Sequence, residues 1–163
     1  MAKVLVAYFS RSGTAEQLAL QLAARLGADV DVVTPSPGYA GVGGYLRGIW
    51  HSLRRRAPAI SCGRNPAGYA LVVIASPVWA GRLSAPMRTY LMRFAGRIGA
   101  LAAMWVSGSG LPYKAVGEEI RQIAGRAPLA TASFAERDVR AGKADAELDR
   151  LAQTLRLGLR HAA

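Results

Sequence analysis

Cysteine occurs once in the 163 residues, at Cys62, which rules out a disulfide within the chain and suits a reducing compartment. No apolar run approaches the roughly 18–20 residues of a membrane span. The chain opens on Lys3 and the short run Val4-Leu5-Val6-Ala7 before turning polar, which is not the pattern of an export signal. A cytoplasmic protein without a transmembrane segment is expected. Acidic residues are few, ten against 21 Lys and Arg, leaving a formal net charge of +11. The excess is even along the chain, +6 over residues 1–82 and +5 over residues 83–163. A nucleic-acid binder would gather it into a tail or stripe. What remains is a positive field that attracts anions or acidic protein surfaces. Aromatics are only 7%, but hydrophobic residues reach 52% and charged residues 19%, a globular balance that fits one domain over residues 1–163.

Hydrophobic periodicity divides the chain cleanly. Val4 to Phe9 is short and continuously apolar, as in a strand buried on both faces. From Thr14 the period changes: Leu18, Leu22 and Leu26 recur every four residues until Gly27 ends the helix. "DVDVV", residues 29–33, reads as a second strand. "YLRGIWHSLRRR" is helical, with Leu46, Ile49, Trp50 and Leu53 sharing one face and Arg54-Arg55-Arg56 on a solvated end. "YALVVIAS" (69–76), "ALAAMWVS" (100–107) and "LATASFA" (129–135) are three more strands, separated and followed by helical patterns. Residues 34–44 and 57–68 read as loops. Five strands alternating with five helices predict an α/β fold, a parallel sheet covered on both faces.

Ligands of such sheets bind outside the carboxyl ends of the strands, where the strand order reverses. Strand one is followed by Ser10-Arg11-Ser12-Gly13-Thr14, strand three by Pro77-Val78-Trp79-Ala80-Gly81, and strand four by Gly108-Ser109-Gly110. All three loops would therefore share one edge. The first is a hydroxyl-rich turn at the start of a helix, where free amides and the helix dipole favour an anion. A plain helix cap by Ser12 or Thr14 is the simpler alternative. Other phosphate loops fail in turn: there is no Walker GK[ST] ending, no Rossmann G-x-G-x-x-G after a strand, no cysteine in the loop, and no Asp closing strand three. A monophosphate held by hydroxyls and amides fits what is left. Trp79 could stack on a flat ring or pack beneath its own loop, and Tyr113 could be a second stacking partner or a surface tyrosine. His51 reads as a half-buried structural residue and Cys62 as inert unless exposed beside Arg64.

Three segments, "KVLVAYFSRSGTAEQLA", "GGYLRGIWHSLRRRAPAI" and "YALVVIASPVWAGRLSAPMRTYL", resemble the short-chain flavodoxin-like FMN-binding flavoproteins over essentially the whole chain. The resemblance implies a three-layer sandwich around a five-stranded parallel sheet of order 2-1-3-4-5, with FMN bound non-covalently. Matched by position, Ser10, Arg11, Ser12, Gly13, Thr14 and Ala15 would hold the FMN phosphate. Pro77, Val78, Trp79, Ala80 and Gly81 would border the isoalloxazine from one loop, and Ser107, Gly108, Ser109 and Gly110 from another. Ala15 departs from a polar position of the family's T/S-x-T-G-N-T loop, Arg11 adds a charge, and Ser109 stands where many relatives have glycine or cysteine.

The function this implies is an FMN-dependent oxidoreductase, drawing electrons from NAD(P)H and passing them to a quinone or similar small-molecule acceptor. The flavin would carry the chemistry, so no catalytic side chain and no metal is expected. The alternatives are an electron carrier docking to an acidic redox protein and a non-catalytic FMN-binding module. An oligomer is left open.

Overall fold

A computed structural model describes residues 2–161. The elements follow in the order β1 (Val4–Tyr8), α1 (Thr14–Leu26), β2 (Asp29–Val32), β3 (Thr34–Ser36), α2 (Gly41–Leu53), β4 (Ala59–Ser61), β5 (Leu71–Trp79), β6 (Arg82–Leu83), α3 (Ala85–Phe94), β7 (Ala100–Ser107), α4 (Lys114–Ala124), β8 (Thr131–Ala135), α5 (Glu136–Arg140) and α6 (Asp145–His161). Five strands run parallel in the order β2-β1-β5-β7-β8, which is 2-1-3-4-5 when these five are counted alone.

The reason the strands read as unbroken apolar runs is that both faces of the sheet are covered. Side chains alternate between the two sides. Val4, Val6 and Tyr8 of β1, with Leu71, Val73 and Ala75 of β5, face α1 and α6, whose Leu18, Leu22, Leu148, Leu151 and Leu155 complete one core. Leu5, Ala7, Val72, Ile74, Leu101 and Ala103 point the other way, onto Met87, Tyr90 and Leu91 of α3 and Val116 and Ile120 of α4.

Three features differ from the sequence expectation. Residues 77–79 belong to β5 and not to a loop: the strand runs on to Trp79 and turns through Ala80 and Gly81 into the antiparallel β6, pairing Trp79 with Arg82. Both turn residues have positive φ, 50° and 73°, the backbone a tight two-residue hairpin demands, and glycine meets the second at no steric cost. Second, parts of the two expected loops pair as a small antiparallel ribbon, β3 with β4. Third, the apolar face of α2 is turned to solvent. Leu46, Trp50 and Leu53 are exposed, and the helix packs through Gly44, Gly48 and Ser52. Small residues win there because the helix lies against bulky aromatics: a Cβ on Gly48 would come within 2.7 Å of the Trp79 ring.

A buried ion pair ties α3 to α4. Arg88 Nε donates to Glu119 Oε1 at 2.6 Å, with 3% and 6% of the two side chains exposed. Three of the four remaining guanidinium hydrogens go to backbone carbonyls of Arg56, Ser52 and Leu83, and the Leu83 amide donates to the other Glu119 oxygen. Nothing in a linear pattern distinguishes Arg88 from the other arginines, because its partners lie 5 to 36 residues away.

Candidate functional site

The strand order reverses between β1 and β5, and a cleft of about 380 Å³ opens beside their carboxyl ends. That size is ordinary for a small-molecule site. One end of the cleft is formed by the turn from β1 into α1. Gly13 takes the helix N-cap position with φ 91°, and no side chain caps the first turn. The simpler reading of Ser12 or Thr14 as a helix cap therefore does not describe this terminus. Ser10 Oγ accepts the Gly13 amide at 3.0 Å, which shapes the turn, and the amides of the first helical turn have no side-chain cap. Ser12 and Thr14 line the cleft with hydroxyls 3.3 Å apart, while Ala15 is buried against the sheet. Tyr8 donates to Glu16 at 3.0 Å, and burial with that carboxylate raises its phenol to about 12.

Arg11 also lines the cleft. Its Nε donates to the Tyr39 carbonyl at 3.3 Å and its guanidinium lies 4.8 Å from the centre of the Tyr45 ring. The side chain is thus drawn across the mouth towards α2.

Pro77, Val78, Trp79 and Ala80 form one wall, and Ser107 and Gly108 form part of the opposite one. Trp79 does not offer an open ring face. It is 6% exposed and meets Phe9 and Tyr39 edge-on, with ring centres 5.3 and 5.0 Å away. The accessible aromatic ring at the cleft is Tyr45, 43% exposed. Gly81, Ser109 and Gly110 do not line the cleft. Ser107 Oγ accepts the Gly110 amide at 2.9 Å, and Ser109 bonds Tyr113 at 3.0 Å, so this loop is tied to itself.

Five lining residues are invisible to loop-by-loop reading: Val106 within β7, Tyr45 and Ile49 from α2, and Glu136 and Arg140 from α5. The last two had an available signal, since α5 begins directly where β8 ends, on the same carboxyl edge. Glu136 is the unexpected member. Its Oε1 lies 3.5 Å from the Ser12 hydroxyl and 3.4 Å from that of Thr14, and it pairs with Arg140 at 2.5 Å. An acidic group thus takes up the hydroxyl donors of the turn.

Two titratable residues have structural roles. His51 is half-buried and shares a 2.7 Å hydrogen bond with Tyr39; burial first, then Arg47 and Arg56, lower its pKa. Cys62 is half-buried too, and burial together with Asp31 raises its thiol, the opposite of an activated nucleophile.

No family model and no curated protein matches the chain. Solved structures do. A flavoprotein from Lactobacillus acidophilus NCFM, in complex with FMN, is 22% identical with a TM-score of 0.70, covering 86% of this chain and 98% of its own. The apo form of the flavoprotein from the same organism, solved by NMR, is 23% identical with a TM-score of 0.61, over 83% and 91% of the two chains. A flavodoxin from Streptococcus pneumoniae TIGR4 is 16% identical with a TM-score of 0.55, over 96% and 99%. At these identities the likeness establishes the fold, which is flavodoxin-like.

Proposed function

We propose that the chain binds FMN in this cleft and acts as an FMN-dependent oxidoreductase, taking electrons from NAD(P)H and delivering them to a quinone or similar acceptor. The observation that carries the reading is the uncapped first turn of α1, with the Ser12 and Thr14 hydroxyls, at one end of a cleft walled by the ends of β5 and β7. The donor set fits a monophosphate: three hydroxyls in the turn, first-turn amides and the positive end of a helix dipole. Ser10 would hold the turn, Ser12, Gly13, Thr14 and Ala15 would hold the phosphate, and Arg11 would add charge at the mouth. Pro77 to Gly81 and Ser107 to Gly110 would border the ring system, with Tyr45 and Ile49 covering it from α2. The similarity to a flavoprotein complexed with FMN supports the assignment. Bound FMN would supply two-electron hydride chemistry. The chain's part would be to orient the ring and exclude water from its buried edge, within a protein whose positive field favours a reduced, anionic flavin.

Titration of purified protein with FMN, followed by flavin fluorescence, tests the binding. FMN should bind more tightly than riboflavin, which lacks the phosphate. Ser12→Ala/Thr14→Ala should weaken FMN by roughly 100-fold or more and close the gap to riboflavin, since hydrogen bonds to charged groups contribute about 1.5–3 kcal/mol each. Equal affinity for both flavins would remove the phosphate site. Glu136→Gln should act in the opposite sense and tighten FMN roughly fivefold, by removing a like charge worth about 1 kcal/mol at contact distance in a solvated setting; unchanged or weaker binding would mean that Glu136 does not compete.

The basic surface favours a second reading, an electron carrier that docks to an acidic partner. Anaerobic addition of NADPH to the FMN-loaded protein separates the two. Rapid bleaching of the flavin absorbance supports the oxidoreductase, and no reduction without a partner protein supports the carrier.

A further inference from the structure

The charge that looks even along the chain is uneven in space. From residue 32 to residue 117 there are ten Lys and Arg and no Asp or Glu. That interval contains β3, β4, α2 and α3, and both helices cover the same side of the sheet. Six of the ten acidic residues lie instead on α1, α5 and α6, with the opposite core.

The α2 and α3 part of this layer bears no Asp or Glu, the layer's Glu118 and Glu119 sitting on α4, and it carries the largest group of exposed apolar side chains. On α2, Val42 is 77% exposed, Leu46 60%, Trp50 46% and Leu53 53%, and Met92 on α3 is 60% exposed. The α2 residues follow helical spacing and form one stripe. Arg54, Arg55 and Arg56 continue directly from its end, Arg56 stacks 5.1 Å from the Trp50 ring centre, and Arg55 borders the same depression as Met92. The helix keeps its small residues inward, so these large groups project as a convex ridge with arginines alongside.

From this we infer that the α2 face docks peripherally on an anionic lipid surface, Leu46, Trp50 and Leu53 entering the headgroup boundary and Arg54–Arg56 meeting lipid phosphates. An apolar stripe with tryptophan, flanked by arginine, matches the chemistry of helices that lie in a bilayer interface. Among the described residues no helix is long and apolar enough to cross a membrane, so the contact would be on the surface. A second copy fits this face poorly. A two-fold contact across α2 would oppose two arginine clusters, since Glu118 and Glu119 on α4 are already paired with Arg121 and Arg88, and a contact with the α1, α5 and α6 layer of another copy would not close. A protein partner would need an acidic groove shaped to a protruding ridge, whereas a bilayer yields to one. The inference does not depend on FMN.

Sedimentation of the full chain with lipid vesicles tests it. Binding to vesicles one part in three phosphatidylglycerol should exceed binding to pure phosphatidylcholine at least tenfold and fall as salt is raised. Arg54→Gln/Arg56→Gln should weaken it roughly 25-fold, about fivefold for each arginine, and Leu46→Glu roughly tenfold or more. Circular dichroism checks that the variants stay folded, since these side chains are exposed. Trp79 and Trp105 are buried, so a blue shift of emission on adding vesicles reports Trp50. Trp50→Phe should abolish that shift and leave sedimentation intact. Equal binding to neutral and anionic vesicles, no binding, or binding indifferent to Leu46→Glu overturns the inference. So does a dimer that Leu46→Glu dissociates, or capture by a soluble acidic polypeptide, with the same variant dependence, in the absence of lipid binding.

Discussion

Arg88→Met is expected to destabilise the protein by about 3–5 kcal/mol, the usual consequence of leaving one member of a buried ion pair without its partner. Glu119 would keep its carboxylate beneath α3 with only the Leu83 amide to face it, and three backbone carbonyls would lose their donor. For a chain of this length that corresponds to a fall in Tm of roughly 6–20 °C. Thermal or urea unfolding measures it directly. Arg88→Met/Glu119→Leu should recover most of the loss, because the interior then contains no unpaired charge. A single variant within about 0.5 kcal/mol of the parent would show that the pair does not support the fold. Because Arg88 also holds the last carbonyls of the α2 segment, FMN titration of the same variant reports whether the far wall of the cleft depends on this anchor.

Adjacent glycines in α2 should respond with opposite signs to the same substitution. Gly43→Ala places a Cβ in open space on an exposed helical residue and should stabilise by about 0.5–1 kcal/mol, the helix preference of alanine over glycine. Gly44→Ala gains the same preference, but its Cβ would lie 2.3 Å from the Tyr39 carbonyl carbon and 2.6 Å from its oxygen. Those are backbone atoms, so no side chain can rotate away and the helix itself must lift. The expected net loss is about 2 kcal/mol or more. Tyr39 sits among Phe9, Trp79 and His51, and Tyr45 follows Gly44 directly, so the damage should extend to the cleft and weaken FMN binding as well. If both variants shift Tm upward, α2 is packed more loosely than this contact requires.

Legibility followed the range of the interactions involved. β1, β5 and β7 were readable because burial on both faces forces a continuous apolar run, which only a central parallel strand requires at that length. The turn Ser10–Thr14 was readable because chain direction alone places it at the carboxyl edge of β1. α2 shows where this stops. Its stripe of Leu46, Trp50 and Leu53 has the spacing of a packing face, yet Gly44, Gly48 and Ser52 make the contact, since Tyr39 and Trp79 already fill the space a larger residue would need. Trp79 was open to two readings, and only the cluster around it shows the indole held edge-on. Glu136 went unnoticed because it approaches Ser12 and Thr14 from 122 to 124 residues away.

By itself the sequence determined the α/β alternation, the parallel sheet, the carboxyl edge that bears the site and the hydroxyl turn at its centre. These depend on residue period and chain direction, which are local. Tertiary structure alone decided which face of α2 is buried, which arginine is an internal anchor, that α2 and α3 form one basic face and that a carboxylate stands beside the Ser12 and Thr14 hydroxyls. Each of those depends on what distant segments have already occupied, and steric exclusion and charge proximity are properties of the assembled layers.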